Sequence, residues 1–197
     1  HLHGVWSPAL AGVAKLCSKR SVPYCVAPHG MLDRWTLAQK RLKKSVALAL
    51  LWKGILNRAA FMHCLNRYEA GLMAPLGVRT PTEVIPNGIF LEEFEQLPAP
   101  GAFRAAHREL GDDPYVLFLS RLHYKKGLDL LAPAFAQALE RVPRAHLVVA
   151  GPDGGARAPF ERQVADLNIA QRVHVVGPLY GPHKLAALRD AHCFCLP

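Results

Sequence analysis

The stretch Tyr115–Leu131, "YVLFLSRLHYKKGLDLL", decides how the rest of the chain is read. Its first five residues form a continuous apolar run, the pattern of a strand buried on both faces of a parallel sheet. From Gly127 onward the apolar residues recur at helical spacing, which predicts a helix over 127–141 with Pro133 kinking it or marking its first turns. Arg121, Lys125 and Lys126 are thus delivered to the point where a helix begins. In parallel sheets, ligands bind outside the carboxyl ends of strands, and the next helix adds unpaired N–H groups and a positive dipole end. The loop reads either as a phosphate site, with Arg121 gripping oxygens through its planar fork and a lysine adding a compact charge, or as a solvated basic turn.

Working outward, the same alternation of short apolar run and helix-period segment fills the chain, so the fold class is α/β with parallel sheets. Downstream come "AHLVVAG", a helix over 159–168, "RVHVVG", a helix over 182–190 and "HCFCL". Upstream of a helix predicted over 103–110 lies Pro86–Phe103, whose three prolines and two glycines have the composition of a connection between domains. Before it stand "LHGVW", a helix over 8–19, "YCVAP", a long helix over 34–57, "AAFMHCL" and "TEVIP". Asn66 and Glu69 form a capping-box pair opening a helix to about Leu76. Each half resembles part of a doubly wound domain, residues 1–86 and 87–197. Two such domains of ordinary size need more residues than are here, so both are expected to be incomplete.

Composition narrows the function classes. At 197 residues and 51% hydrophobic, the chain can bury a core. No stretch reaches the roughly 20 apolar residues of a membrane-spanning helix and no signal segment opens the sequence, so a cytoplasmic location is expected. Five cysteines without a C-x-x-C pair indicate neither a disulfide framework nor a zinc knuckle, and they read as small, reduced core residues. The formal charge is +9, and Arg34–Arg58 carries seven basic residues and no acidic one, which favours anionic partners. A nucleic-acid module would interleave those cations with exposed aromatics. Only 8% of residues are aromatic, and Phe118, Phe135 and Phe194 fall in runs expected to be buried, so no nucleic-acid partner is expected.

Two further stretches complete the pattern. In "APHGML" (Ala27–Leu32) a His-Gly pair follows a predicted strand, placing the His29 imidazole at a sharp turn, as a ligand contact or as a satisfied turn histidine. In "VIPNGIF" (Val84–Phe90), Asn87-Gly88 after proline reads as a turn with positive φ. In this order, "HLHGVW", "PHGML", "VIPNGI", "LFLSRLHYKKGLDLL", "LVVAGPDGG" and "VHVVGPLYG" resemble the retaining glycosyltransferases of family 4 over essentially the whole chain. These are GT-B enzymes with two Rossmann-like domains facing a cleft.

The resemblance implies transfer of a sugar from a UDP- or GDP-linked donor to a sugar or lipid-linked acceptor, with retention and without a metal or other cofactor, in polysaccharide or glycolipid biosynthesis. Arg121 and Lys126 match the pair that binds the donor diphosphate. His29 matches the histidine facing the donor sugar near the reacting carbon. Gly177, Pro178 and Leu179 match the loop that meets the nucleobase, and Asn87 and Gly88 match the interdomain turn. The family's paired glutamates would fall after Pro197 and its first glycine-rich loop before His1, so the piece is expected to be inactive alone. A GT-B sugar-nucleotide epimerase, or a silent nucleotide-sugar binder, is the alternative on the same fold. His1 and His3, alternate on a predicted strand, lack further ligands in view for a metal.

The basic segment carries its own question. Trp35, Ala38, Leu42, Val46 and Ala49 make an apolar stripe at helical spacing, with Lys40, Lys43 and Lys44 on another side. Either the stripe packs on the core, or the helix is a basic amphipathic surface for anionic lipid, giving peripheral contact with the inner face of a membrane.

Overall fold

The computed structural model describes all 197 residues, and the chain forms two compact units, His1–Ile89 and Phe90–Pro197. In the first unit, strands β1 (Leu2–His3), β2 (Cys25–Ala27), β3 (Phe61–Cys64) and β4 (Thr82–Val84) make a parallel sheet in the order β1-β2-β3-β4. Helix α1 (Pro8–Lys19) starts with a proline at its first position, where the missing N–H costs nothing. One core, built on Leu2, Val26 and Met62 with Trp52, Ile55 and Leu56, covers one face of this sheet.

The single helix expected over 34–57 is broken. Helix α2 (Arg34–Ala38) is capped by Asp33, whose carboxylate accepts from the Thr36 amide. It stops where Lys40 turns left-handed at φ 55°, and the Lys44 ammonium donates to the Thr36 carbonyl, which also accepts from the Gln39 amide (3.2 Å). Helix α3 (Arg41–Ala47) then runs through a π-helical turn, Leu48–Trp52, into α4 (Lys53–Leu56). The break and the wider turn change which face looks inward. Leu37, Leu48, Leu51 and Trp52 join the core, whereas the expected stripe is exposed: Leu42 at 80% and Val46 at 49%, with Leu50 at 83% beside them.

Helix α5 (Arg67–Gly71) is capped by Asn66 as its sequence predicts. Its partner Glu69 departs from the capping box: instead of returning to Asn66, its buried carboxylate accepts from the Leu65 amide (2.7 Å) and from the Gly30 amide (2.7 Å). Burial and the Glu69 charge push the neighbouring Cys64 thiol up to about 11. Cys64 alone among the five cysteines is buried; Cys193 is exposed, and the core reading fails for it because it lies on an edge strand.

The second unit is covered on both faces. Strands β5 (Tyr115–Leu119), β6 (His146–Ala150), β7 (Val173–Gly177) and β8 (Cys193–Phe194) form a parallel sheet in the order β7-β6-β5-β8. Phe118, Leu147 and Val149 pack under α7 (Leu128–Arg141) and α8 (Arg157–Asp166). On the other face Tyr115, Leu117 and Val148 pack under α6 (Ala102–Ala106) and α9 (Gly181–Asp190). The two central strands are therefore the most buried, and the edge strand β8 is exposed. Pro133 lies inside α7, where it denies the Asp129 carbonyl its helical partner. Gln163 of α8 donates to that carbonyl at 3.1 Å, so the proline is accommodated by the neighbouring helix. The helix expected over 103–110 ends at Ala106 and resumes as a 3₁₀ turn, Arg108–Leu110.

At the amino edge of this sheet sits a half-buried polar cluster around the buried His146. The Nδ1 of His146 is 2.8 Å from the Nε2 of His174, and Arg172 donates to the Nε2 of His146 at 3.0 Å. Arginine has only donors, so His146 accepts at Nε2, carries its proton on Nδ1 and is neutral. Asp113 faces the same group, 3.8 Å from the His146 Nε2 and 3.5 Å from Arg172. Burial, then the His174 and Arg172 charges, hold His146 below the usual histidine range against the pull of Asp113. Burial also lowers His174, with Glu109 opposing and His107 and Arg172 reinforcing. Because both folded values are depressed, their stabilisation is complete above about pH 6.5 and is lost as pH falls through the folded values. The urea midpoint of the second unit is therefore expected to be lower at about pH 5.5 than at about pH 7.5, and His174→Gln should narrow that difference. An equal midpoint at both pH values would contradict the assignment.

Candidate functional site

Strand order reverses at β5, since β6 and β7 lie on one side of it and β8 on the other. A crevice opens outside the carboxyl ends of strands at such a switch point. The cationic loop Ser120–Gly127 leaves β5 there and ends where α7 begins. Its last turn is a short 3₁₀ segment, Tyr124–Lys126, capped by the His123 ring accepting from the Lys125 amide. Gly127, at φ 66°, lets the chain enter α7 through a left-handed residue.

The loop is pinned by a stretch whose structural role its sequence does not announce. After β6 the chain reads Gly151-Pro-Asp-Gly-Gly-Ala, and its backbone pairs with Ser120–Leu122. The Leu122 amide donates to the Pro152 carbonyl (2.9 Å), and the Leu122 carbonyl accepts from Gly154 (2.8 Å) and Ala156 (3.2 Å). A Cβ on Gly151 would collide with the Ser120 carbonyl oxygen, and one on Gly154 would lie 3.1 Å from the Arg121 Cγ. The stem of Arg121 thus runs along a glycine surface that holds it to one side. Neither the Arg121 nor the Lys126 side chain takes part in an ion pair or hydrogen bond. Desolvation, then the Arg121, Lys125 and Lys126 charges, lower the His123 pKa. Chemically, this is a cationic loop with two uncompensated side chains beside a helix amino end.

Gly177 ends β7 at φ 78°, and its carbonyl accepts from Gly151 (2.9 Å), which ties the third loop to the same edge. Pro178 is exposed, whereas Leu179 is half-buried against the core. Of the three, Pro178 is the side chain open to a ligand.

In the first unit, His29 follows β2 and adopts φ 51°, with Gly30 at φ 70°, so two successive left-handed residues form the turn. For a histidine that backbone is strained, and such strain persists only where surrounding structure enforces it. Glu69 supplies the enforcement by binding the Gly30 amide. The His29 Nε2 lies 2.8 Å from the His3 Nδ1, with the rings stacked at 5.1 Å. His63, which sequence reasoning missed, meets His1 at 3.0 Å, and the His1 and His3 rings stand 4.2 Å apart. The parallel register brings these rings together, since Leu2 pairs with Val26 and Val26 with Met62, which sets His1, His3 and His63 on neighbouring strands. The imidazoles bond to one another, and no group of three or more histidine, cysteine or acidic side chains is placed to hold a metal ion.

The turn expected at Asn87-Gly88 does not form. Neither residue has a positive φ, and the segment is exposed with no backbone hydrogen bond closing it. The one anchor is the Ile85 amide on the Cys64 carbonyl, so the chain continues extended beyond β4. Without a closing bond or packing, the Asn-Gly pair has no reason to enter the left-handed region.

Two family models match the chain: "Glycosyl transferase 4-like domain" over residues 1–88 and "Glycosyl transferases group 1" over residues 101–197. A GDP-mannose-dependent alpha-(1-6)-phosphatidylinositol monomannoside mannosyltransferase of Mycolicibacterium smegmatis is 35% identical over 121 residues, 59% of this chain and 31% of the relative. An alpha-monoglucosyldiacylglycerol synthase of Streptococcus pneumoniae is 28% identical over 162 residues, 80% and 36% of the two chains. Among solved structures, Anabaena HepE in complex with UDP-glucose superposes with TM-score 0.74 at 22% identity, covering 96% of this chain and 51% of that one. An alpha,alpha-trehalose-phosphate synthase (UDP-forming) from Burkholderia vietnamiensis does so with TM-score 0.74 at 15% identity, covering 98% and 49%. The chain spans about a third of the curated relatives and about half of the solved ones.

Two substitutions test the geometry. Gly151→Ala forces the β5 and β6 loops apart and is expected to destabilise the second unit by about 3 kcal/mol, read from urea unfolding. Glu69→Gln leaves one of the two buried amides facing an NH₂ group, at a cost of about 2 kcal/mol in the first unit. A change below about 0.5 kcal/mol in either would mean that the contact does not hold its loop.

Proposed function

The chain belongs to the GT-B glycosyltransferases of the family-4 type, and we propose from this premise that it binds a nucleotide sugar and serves retaining sugar transfer. The observation that carries this reading is the uncompensated pair Arg121 and Lys126 on the loop that leaves β5 at the switch point. Breaking the bond between a sugar and a nucleoside diphosphate builds negative charge on the departing phosphate. Cations already held in place stabilise that charge most when it is largest, and need no reorganisation to do so. Arg121 can bind two oxygens at once, while Lys126 adds a point charge beside the α7 amino end. Such a pair supplies the electrostatic assistance that a divalent cation would otherwise bring, so we assign the reaction no metal.

The remaining roles follow the same reading. Gly177–Leu179 would meet the nucleobase, and His29 would contact the donor sugar, its strained turn fixed by Glu69. The donor is a UDP- or GDP-linked sugar: one relative is named as GDP-mannose-dependent, and HepE is described with UDP-glucose. The names of two relatives contain lipids, a phosphatidylinositol monomannoside and a monoglucosyldiacylglycerol. A lipid-linked acceptor accords with the exposed face of Leu42, Val46 and Leu50 set among Lys40, Arg41 and Lys43. A surface of this composition lies on anionic bilayers, so peripheral membrane contact is part of the proposal.

Calorimetric titration of the chain with UDP, GDP and pyrophosphate tests the central step. Arg121→Ala and Lys126→Ala are each expected to weaken binding at least tenfold, and in the full-length protein to cost transfer about 3 to 4 kcal/mol. Undiminished diphosphate binding in the double variant would remove the basis of the reading. Sedimentation with anionic vesicles should fall as salt rises, and fall further when Leu42 and Leu50 are changed to Ser.

A further inference from the structure

A concavity of the first unit lies away from His29. It has a volume of about 550 Å³ and is lined by Lys53, Asn57, Gly77, Arg79 and Thr80, with Ala59 and Pro81. Ala59 precedes β3, and Thr80 and Pro81 precede β4, so the cavity opens at the amino edge of the sheet. His29 follows the carboxyl end of β2, at the opposite edge. This cavity is therefore separate from the groups assigned to sugar transfer.

Its chemistry is one-sided. No acidic side chain lines it, and neither Lys53 nor Arg79 takes part in an ion pair. The end of α4 contributes little negative character, because its last carbonyls are engaged. Tyr24 Oη donates to Ile55 (2.6 Å), Thr80 Oγ1 to Leu56 (2.7 Å) and the Asn57 amide to Lys53 (3.0 Å). The walls are also built. Asn57 clamps the turn, donating from Nδ2 to the Gly77 carbonyl (3.1 Å) and accepting at Oδ1 from the Arg79 amide (2.6 Å). Gly77, at φ 74°, leaves open the space that the Lys53 ammonium occupies, and a Cβ there would collide with that ammonium. The lysine thereby lies over the turn at Gly77, and it lines the same cavity as Arg79.

Two cations without counter-charge, converging on one cavity with a fixed turn between them, match a doubly charged tetrahedral anion with polar substituents. We propose that the Lys53–Arg79 cavity binds a phosphate group, as a free phosphomonoester or as the headgroup of an anionic phospholipid. The inference stands apart from the diphosphate loop and survives or fails without it.

Amide spectra of the ¹⁵N-labelled chain, recorded at constant ionic strength during titration with inorganic phosphate and glycerol 3-phosphate, test this directly. Saturable shifts of the Gly77, Arg79 and Thr80 amides are expected. Lys53→Gln/Arg79→Gln should weaken them at least tenfold, while the charge-matched Lys15→Gln/Lys19→Gln should not. Phosphatidylcholine vesicles with and without phosphatidylglycerol identify the source: response to the soluble phosphates marks a free ligand, and response to phosphatidylglycerol vesicles alone marks a headgroup. If none of these probes moves the three amides in the unsubstituted chain, or if the double variant responds equally, the site does not exist. Shifts confined to Ser120–Gly127 would sink this inference while leaving the diphosphate reading standing.

Discussion

The backbone pairing between Ser120–Leu122 and the turn Gly151–Ala156 is the constraint on which the candidate site depends. A loop bearing three cations would spread them into solvent if electrostatics alone acted. Here the loop is sewn to the neighbouring strand's extension, and Gly151 and Gly154 permit an approach that no side chain would allow. The pairing fixes the backbone that carries Arg121 before any ligand arrives. That ordering is what makes a charged group useful at the moment charge develops on a leaving phosphate.

The two units solve the covering of a parallel sheet differently. The second puts helices on both faces, so its central strands are nearly dry, while the edge strand β7 is half-buried and the edge strand β8 exposed. Pro133 and the His146–His174 pair show what such a packed layer requires: each buried polar group finds a partner on the next element, Gln163 for the Asp129 carbonyl and Arg172 for His146. The first unit has a single core, and its other sheet face carries the cluster of imidazoles. Its polar anchor is Glu69, one carboxylate joining the turn after β2 to the start of α5.

Much of this was legible in the residues. Each of the eight apolar runs became a strand, because a run of that length bounded by turn residues has few other solutions in an alternating chain. The loop at Ser120–Gly127 was legible for the same reason. The helix over 34–57 was not, since hydrophobic periodicity assumes one unbroken register, and a left-handed Lys40 and a π-helical turn each shift it. The Asn87-Gly88 turn failed because a dipeptide preference is weak where no hydrogen bond or packing enforces it.

The sequence by itself determined the order of strands and helices, the placing of cations at a strand-to-helix junction, and the resemblance that joins those motifs. These are local facts, written in periodicity and turn chemistry. Which strand stands beside which, and hence that β5 sits at a reversal of strand order, that His63 meets His1, and that Lys53 folds over Gly77, came only from tertiary structure. Such contacts join residues from about 24 to more than 60 positions apart, and no local preference encodes a partner at that distance.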